Sequence, residues 1–129
     1  MLKSGILNPA VNSLLSRVRH TNTFVISDRC FPFYGDLEII DLSLVDDVPR
    51  IADVVRAIRN HFDVGCAYMA QEFRNENSIE ICQALDRELE GIAVQLEPHI
   101  EFKKRVPYAL GIIRTGDTTR YGNVILESV

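Results

Sequence analysis

Residues 20–28, His20-Thr21-Asn22-Thr23-Phe24-Val25-Ile26-Ser27-Asp28, decide how this chain is read. Phe24, Val25 and Ile26 form an unbroken apolar run, aromatic and β-branched, ending at Ser27-Asp28. Such a run predicts a buried strand, of the kind found in parallel sheets covered by helices. The flanks agree with this. Upstream, Asn8 is a capping residue and Pro9 suits a first helical position, while Val11, Leu14, Leu15 and Val18 recur at helical spacing. A helix is therefore predicted from Pro9 to near His20-Thr21-Asn22. Downstream, Arg29-Cys30-Phe31-Pro32-Phe33-Tyr34-Gly35 reads as a loop heavy in aromatics, and Leu37–Leu44 as a second strand containing Asp41.

The alternation continues to the end. Val48-Pro49 predicts the opening of a helix with Ile51, Val54, Val55, Ile58 and Phe62 on one face, and Val64–Ala70 a third strand. Asn77-Ser78 begins a helix that turns Ile79, Cys82, Leu85 and Leu89 inward and closes at Gly91. Ala93–Leu96 is a strand, His99–Arg105 a short helix before Pro107, and Tyr108–Arg114 and Asn123–Leu126 the last two strands. Strands alternating with helices predict a single three-layer α/β domain over residues 1–129, with a mainly parallel central sheet flanked by helices.

Composition bounds the function. A chain of 129 residues, 47% hydrophobic and 25% charged, suits one compact domain and rules out a disordered or fibrous chain. Fourteen Lys and Arg against 18 Asp and Glu leave a net charge of -4. That balance argues against nucleic acid and anionic membranes as partners, and Lys103-Lys104-Arg105 is too short a basic cluster to reverse it. No apolar run approaches the roughly 20 residues of a membrane-spanning helix. The opening Met1-Leu2-Lys3-Ser4-Gly5-Ile6-Leu7-Asn8-Pro9 is broken too early for a signal peptide, so a cytoplasmic protein is expected. Cys30, Cys66 and Cys82 fall in no metal-ligand spacing, and only three histidines are present. Reduced thiols and no metal are expected. Without a P-loop, GxGxxG or GxSxG, phosphoryl transfer, dinucleotide redox and α/β-hydrolase chemistry lack their usual signatures.

Ligands of open α/β sheets collect at the carboxyl ends of strands and the helix starts facing them. That rule selects Asp28, Gln71-Glu72-Phe73-Arg74 and the helix start at His99. Each candidate has a functional and a structural reading. His20, just past a helix end, is either a general acid or base or a charge-stabilising cap. Asp28 either orients a histidine or accepts a ligand hydroxyl, or it bonds nearby amides in a turn. His99 and Lys103 share a helix face and can clamp hydroxyls or an anion, or form a solvated turn. Tyr121-Gly122-Asn123 offers a phenol, an amide and a glycine that admits a ligand to the backbone, or else a hairpin turn with Gly122 left-handed. Phe31, Phe33 and Tyr34 suit a lid, a subunit contact or core filling.

Taken together and in order, the segments resemble the D-ribose pyranase / L-fucose mutarotase family. The matching stretches are Lys3-Ser4-Gly5-Ile6-Leu7-Asn8, His20-Thr21 through Ser27-Asp28, Ile40-Asp41-Leu42-Ser43-Leu44 with Val48-Pro49, Ala70-Gln71-Glu72, His99-Ile100-Glu101-Phe102-Lys103, and Ile113-Arg114-Thr115-Gly116-Asp117 with Tyr121-Gly122-Asn123. The resemblance implies a cofactor-independent, metal-free isomerase that interconverts ring forms or anomers of a monosaccharide. It implies His20 as the proton-transferring residue, Asp28 as its partner or a sugar ligand, and His99, Lys103, Tyr121, Gly122 and Asn123 around the sugar. It also implies a ring-shaped homo-oligomer, a decamer, with sites at subunit boundaries. His99 in its H-x-x-F-K setting is similar to the ribose branch. Tyr121-Gly122-Asn123 is similar to the fucose branch, and Arg29-Cys30 replaces the small Ala-Gly pair common in ribose pyranases. The segment between Phe73 and Pro98 is several residues shorter than in the family. Ribose is the first expected substrate, with an L-fucose-type sugar or a non-catalytic sugar-binding accessory of a transport system as alternatives.

Overall fold

Phe24, Val25 and Ile26 are fully buried in an interior strand of a six-stranded sheet. The computed structural model describes residues Met1–Val129. Along the chain run α1 (Pro9–Arg17), β1 (Thr23–Ser27), β2 (Glu38–Asp41), α2 (Ile51–Arg59), β3 (Val64–Ala70), α3 (Glu72–Glu76), α4 (Ile79–Glu88), β4 (Ala93–Glu97), α5 (His99–Arg105), β5 (Gly111–Arg114) and β6 (Val124–Ser128). A 3-10 turn at Val106–Tyr108 joins α5 to β5. The strand order is β2-β5-β1-β6-β3-β4. β1 and β2 pair parallel with β5, β3 pairs parallel with β4, and β6 is antiparallel to both its neighbours. The sheet is thus mainly parallel, as expected. The exception has a consequence for function: the start of β6 lies beside the carboxyl ends of β1 and β3.

The two faces are covered unequally. On one, Val11 and Leu14 of α1, Val55 and Ile58 of α2, Phe73 of α3 and Leu85 of α4 pack on Phe24, Ile26, Met69 and Leu126. On the other, Phe31, Phe102, Val106 and Ala109 cover Val25, Tyr68, Ile112 and Ile125. Alternate residues of β1 and β6 serve opposite cores, so Phe24–Ile26 and Val124–Leu126 are unbroken apolar runs. No helix is long and apolar enough to cross a membrane.

Several boundaries differ from expectation for local reasons. α1 stops at Arg17, where Val18 turns extended, so His20 stands clear of the helix end in a separate turn. β2 stops at Asp41, whose Oδ1 accepts the Ser43 N–H at 2.9 Å and turns the chain out of the sheet. α2 begins at Ile51 rather than at Val48-Pro49, whose peptide bond is cis. The Ile51 N–H donates to Asp117 Oδ2 at 2.9 Å, so a carboxylate from after β5 caps the helix. β5 is shortened because residues 106–108 coil into the 3-10 turn. α3 is an element the periodicity does not predict.

Candidate functional site at the strand ends

At the carboxyl ends of β1, β3 and β4, next to the start of β6, lies a cavity of about 490 Å³. That volume falls within the roughly 300–1,000 Å³ typical of small-molecule sites. Asp28 follows β1, His99 opens α5 directly after β4, and Tyr121 and Asn123 precede β6; all four line the cavity. Cys30, Phe31 and Pro32 from the aromatic loop, Glu76 at the end of α3, and Arg120 complete it.

Asp28 and Asn123 form the cavity's polar floor. Asn123 is buried, and its Oδ1 accepts the Asp28 N–H at 2.7 Å. Asp28 Oδ1 in turn accepts the Cys30 N–H at 2.8 Å. Burial pushes the Asp28 carboxyl above its ordinary value. Hydrogen bonds from Cys30, Asn123 and Phe31 oppose that rise without cancelling it, and the Asp117 charge adds to it. The result is a carboxyl that holds a proton more readily than a surface aspartate, which suits proton exchange with a hydroxyl.

His99 forms one wall. Its ring stacks on Phe102 at 6.0 Å between centroids and meets the edge of Tyr121 at 5.0 Å. Nε2 is buried without a hydrogen-bond partner. Burial first, and the Lys103 charge second, hold the imidazole below its ordinary value, while Glu72 and Asp28 pull the other way. The neutral imidazole lines the cavity and keeps unspent hydrogen-bonding capacity at Nε2, an atom that solvent does not reach. Tyr121 has a φ of 56°, a left-handed backbone rare for a bulky residue; Gly122, the expected left-handed position, is not the residue that adopts it.

The remaining expected residues are placed differently. Lys103 is exposed and touches the site only through its charge on His99. Gly122 lines a separate, smaller cavity of about 220 Å³ between α2 and α4. His20 is exposed at the opposite end of β1 from Asp28. The five-residue strand between them spans roughly 16 Å. Backbone bonds from Thr21 N–H to Ser128 O and from Ser128 N–H to Asn22 O pin the His20 turn to the far end of β6. One chain therefore does not bring His20 to its own Asp28. Thr21, next to His20, has a φ of 63°, a strained conformation for a β-branched residue and of the sort that clusters at functional sites. Arg29 turns away from the cavity and donates to Asp46 Oδ1 at 2.5 Å, whereas Cys30 lines it.

Glu76 and Arg120 were not signalled by the sequence, because neither belongs to a periodic pattern or motif. Their placement comes from Asn77, whose Nδ2 donates to Phe73 O and Arg120 O at 2.9 and 2.8 Å, tying α3 to the loop before β6. No three His, Cys, Asp or Glu side chains converge in a metal-binding arrangement.

Comparison with known proteins places this geometry. The chain is 37% identical over 128 residues to a D-ribose pyranase of Geobacillus kaustophilus, covering 99% of this chain and 93% of the relative. It superposes on the structure of Bacillus subtilis RbsD complexed with D-ribose with a TM-score of 0.92, at 31% identity and covering 99% and 97% of the two chains. The fucose mutarotase of Streptococcus pneumoniae, solved with L-fucose, shares the fold with a TM-score of 0.83 at 18% identity over 98% and 97% of the chains. Since residues 1–129 also match the RbsD / FucU transport protein family along their whole length, the chain belongs to that family.

Proposed function

We propose that this chain is a sugar isomerase that interconverts ring forms of a monosaccharide, with β-D-ribopyranose and β-D-ribofuranose as the first pair. The observation that carries this reading is the convergence of Asp28, His99, Tyr121 and Asn123 on one cavity, with His99 Nε2 buried and unpartnered. Relatives named D-ribose pyranase support the choice of substrate. Ring opening removes a proton from the anomeric hydroxyl and delivers one to the ring oxygen; closure through another hydroxyl reverses the exchange. The raised Asp28 carboxyl accepts and returns a proton in this scheme. The neutral His99 imidazole and the Tyr121 phenol orient the hydroxyls, and Asn123 holds Asp28 in place. No cofactor enters the scheme.

His20 is proposed as the second proton-transferring group, supplied by a neighbouring copy. Its position at the far end of β1 supports a site shared between subunits of a ring-shaped homo-oligomer, with a decamer as the proposed form. Cytoplasmic residence is proposed with it, in keeping with three free cysteines. Saturation-transfer NMR on ribose tests the reading: the protein accelerates exchange between pyranose and furanose signals. Ribose binding without acceleration would instead mark a sugar-binding accessory. The Tyr121-Gly122-Asn123 sequence favours a second substrate reading, an L-fucose-type sugar, separated by running the same assay on L-fucose.

A further inference from the structure

α5 begins without a cap of its own, because the preceding residue is Pro98, which has no side-chain oxygen. The acceptor comes from 27 residues upstream, where Glu72 Oε1 and Oε2 accept the His99 N–H at 3.0 and 2.9 Å. The sheet brings the two helices together. β3 and β4 pair in parallel through Ala70 and Glu97, and the Gln71 N–H donates to Glu97 O at 2.8 Å, one residue beyond that pair. α3 and α5 therefore start side by side, and a carboxylate in the first turn of α3 falls on the first free N–H of α5. Phe102 and Tyr121 hold the His99 ring from two sides, which leaves the backbone as the remaining degree of freedom. Glu72 does not line the cavity; it acts one layer behind it.

We propose that Glu72 is a positioning residue: its carboxylate fixes the His99 backbone and so holds the imidazole in the cavity wall. What Nε2 meets rests on the ring-isomerase reading, but the coupling between Glu72 and His99 does not. Lys103 on α5, Glu72 on α3 and Asp28 after β1 act on the imidazole by charge, Tyr121 before β6 meets its ring, and Cys30, Glu76 and Arg120 line the same cavity. Among them Glu72 opposes the effects of burial and Lys103, so removing its charge leaves the ring neutral to lower pH.

The test is an NMR titration of His99 in the full chain, with ribose-exchange kinetics measured beside it, for wild type, Glu72→Gln and Glu72→Ala. Gln keeps an acceptor but no charge. It is expected to shift the His99 titration midpoint to lower pH while KM stays within about twofold of wild type. Ala loses both acceptor and charge, so the midpoint shifts the same way and KM rises about 5-fold, the worth of one helix cap, with kcat less affected. A Glu72→Ala variant that folds and keeps the wild-type KM, or the wild-type His99 backbone and ring chemical shifts, overturns the proposal. Should Glu72→Ala fail to fold, Glu72→Asp, whose carboxylate is one methylene short of the His99 N–H, takes its place, and wild-type His99 backbone and ring shifts in it overturn the proposal. If wild type exchanges no sugar, the isomerase reading fails, yet the titration still decides the Glu72–His99 coupling.

Discussion

Asn123 Oδ1 accepts the Asp28 N–H at 2.7 Å across 95 residues of sequence, joining the end of β1 to the start of β6. The bond exists because β6 runs against its neighbours and so begins where they end. Asn123→Leu removes it from a buried site and leaves the Asp28 N–H unsatisfied, which costs about 1–3 kcal/mol. It also removes one of the hydrogen bonds opposing the rise of the Asp28 carboxyl. The variant is expected to unfold at lower urea and to lose at least about 10-fold in sugar exchange, since both partners of the bond line the cavity.

Asp28 itself sets function against stability. Its folded value lies above the ordinary 3.8, so the native state binds the proton more tightly than the unfolded chain. The stability this group confers is complete below pH 3.8 and is lost as pH rises through the folded value. At neutral pH the ionised carboxylate is therefore a burden on the fold. Asp28→Asn is expected to melt at or above the wild-type temperature at pH 7 while losing about 100-fold or more of exchange activity. Calorimetry beside the exchange assay checks both halves.

His99 follows the opposite sign. Its folded value lies below the ordinary 6.5, so the neutral ring is favoured in the native state. The stability tied to it is present above pH 6.5 and is lost as pH falls through the folded value, when a half-buried imidazole must take a charge. His99→Gln removes that dependence. Urea midpoints recorded from pH 7 downwards are expected to fall more steeply for wild type than for the variant. Parallel curves would show that His99 is not held neutral by its surroundings.

Gly116 is required by close approach. A Cβ there would lie 2.8 Å from Val48 O and nearer still to Val45 O, both backbone atoms that cannot swing aside. The Gly116 N–H also donates to Pro49 O at 3.0 Å, and the next residue, Asp117, caps α2. Gly116→Ala is expected to cost about 3 kcal/mol by overpacking. Chemical denaturation measures it. Gly91→Ala, a substitution at a left-handed position with open space around it, serves as a control for backbone strain without a clash.

Much of this was legible in the chain because single residues carry strong local physics. Ser78 accepts the Ile81 N–H at the head of α4, and Asn8 accepts the Val11 N–H at the head of α1, as their positions before apolar periods predicted. Asp28 and His99 were placed by a rule about strand ends and Asn123 by the chemistry of Tyr121-Gly122-Asn123, and the cavity gathers all three. Other features depend on pairings that no window reveals. α3 is five residues long, too short to show a helical period, and its place follows from Gln71 bonding to Glu97. Lys103 shares a helix face with His99 but is exposed and does not line the cavity, and Gly122 belongs to the α2–α4 cavity. The separation of His20 from Asp28 is fixed by a strand whose two ends the motif spans.

That separation supplies the sharpest test of a shared site. His20 is exposed, so His20→Ala is expected to leave the melting temperature unchanged while abolishing exchange, a loss of about 10²–10⁴-fold for a general acid or base. Asp28→Asn is inactive for a different reason. If each site takes Asp28 from one copy and His20 from the next, the two dead variants mixed as monomers and reassembled must regain activity. A site that combines the Asp28 of the His20→Ala chain with the His20 of the Asp28→Asn chain is intact, and random assembly in a cyclic oligomer makes roughly a quarter of the sites so. Exchange recovered to about that fraction of wild type establishes the shared site. No recovery, with mixed assembly verified by mass spectrometry, would confine catalysis to one chain and remove His20 from it.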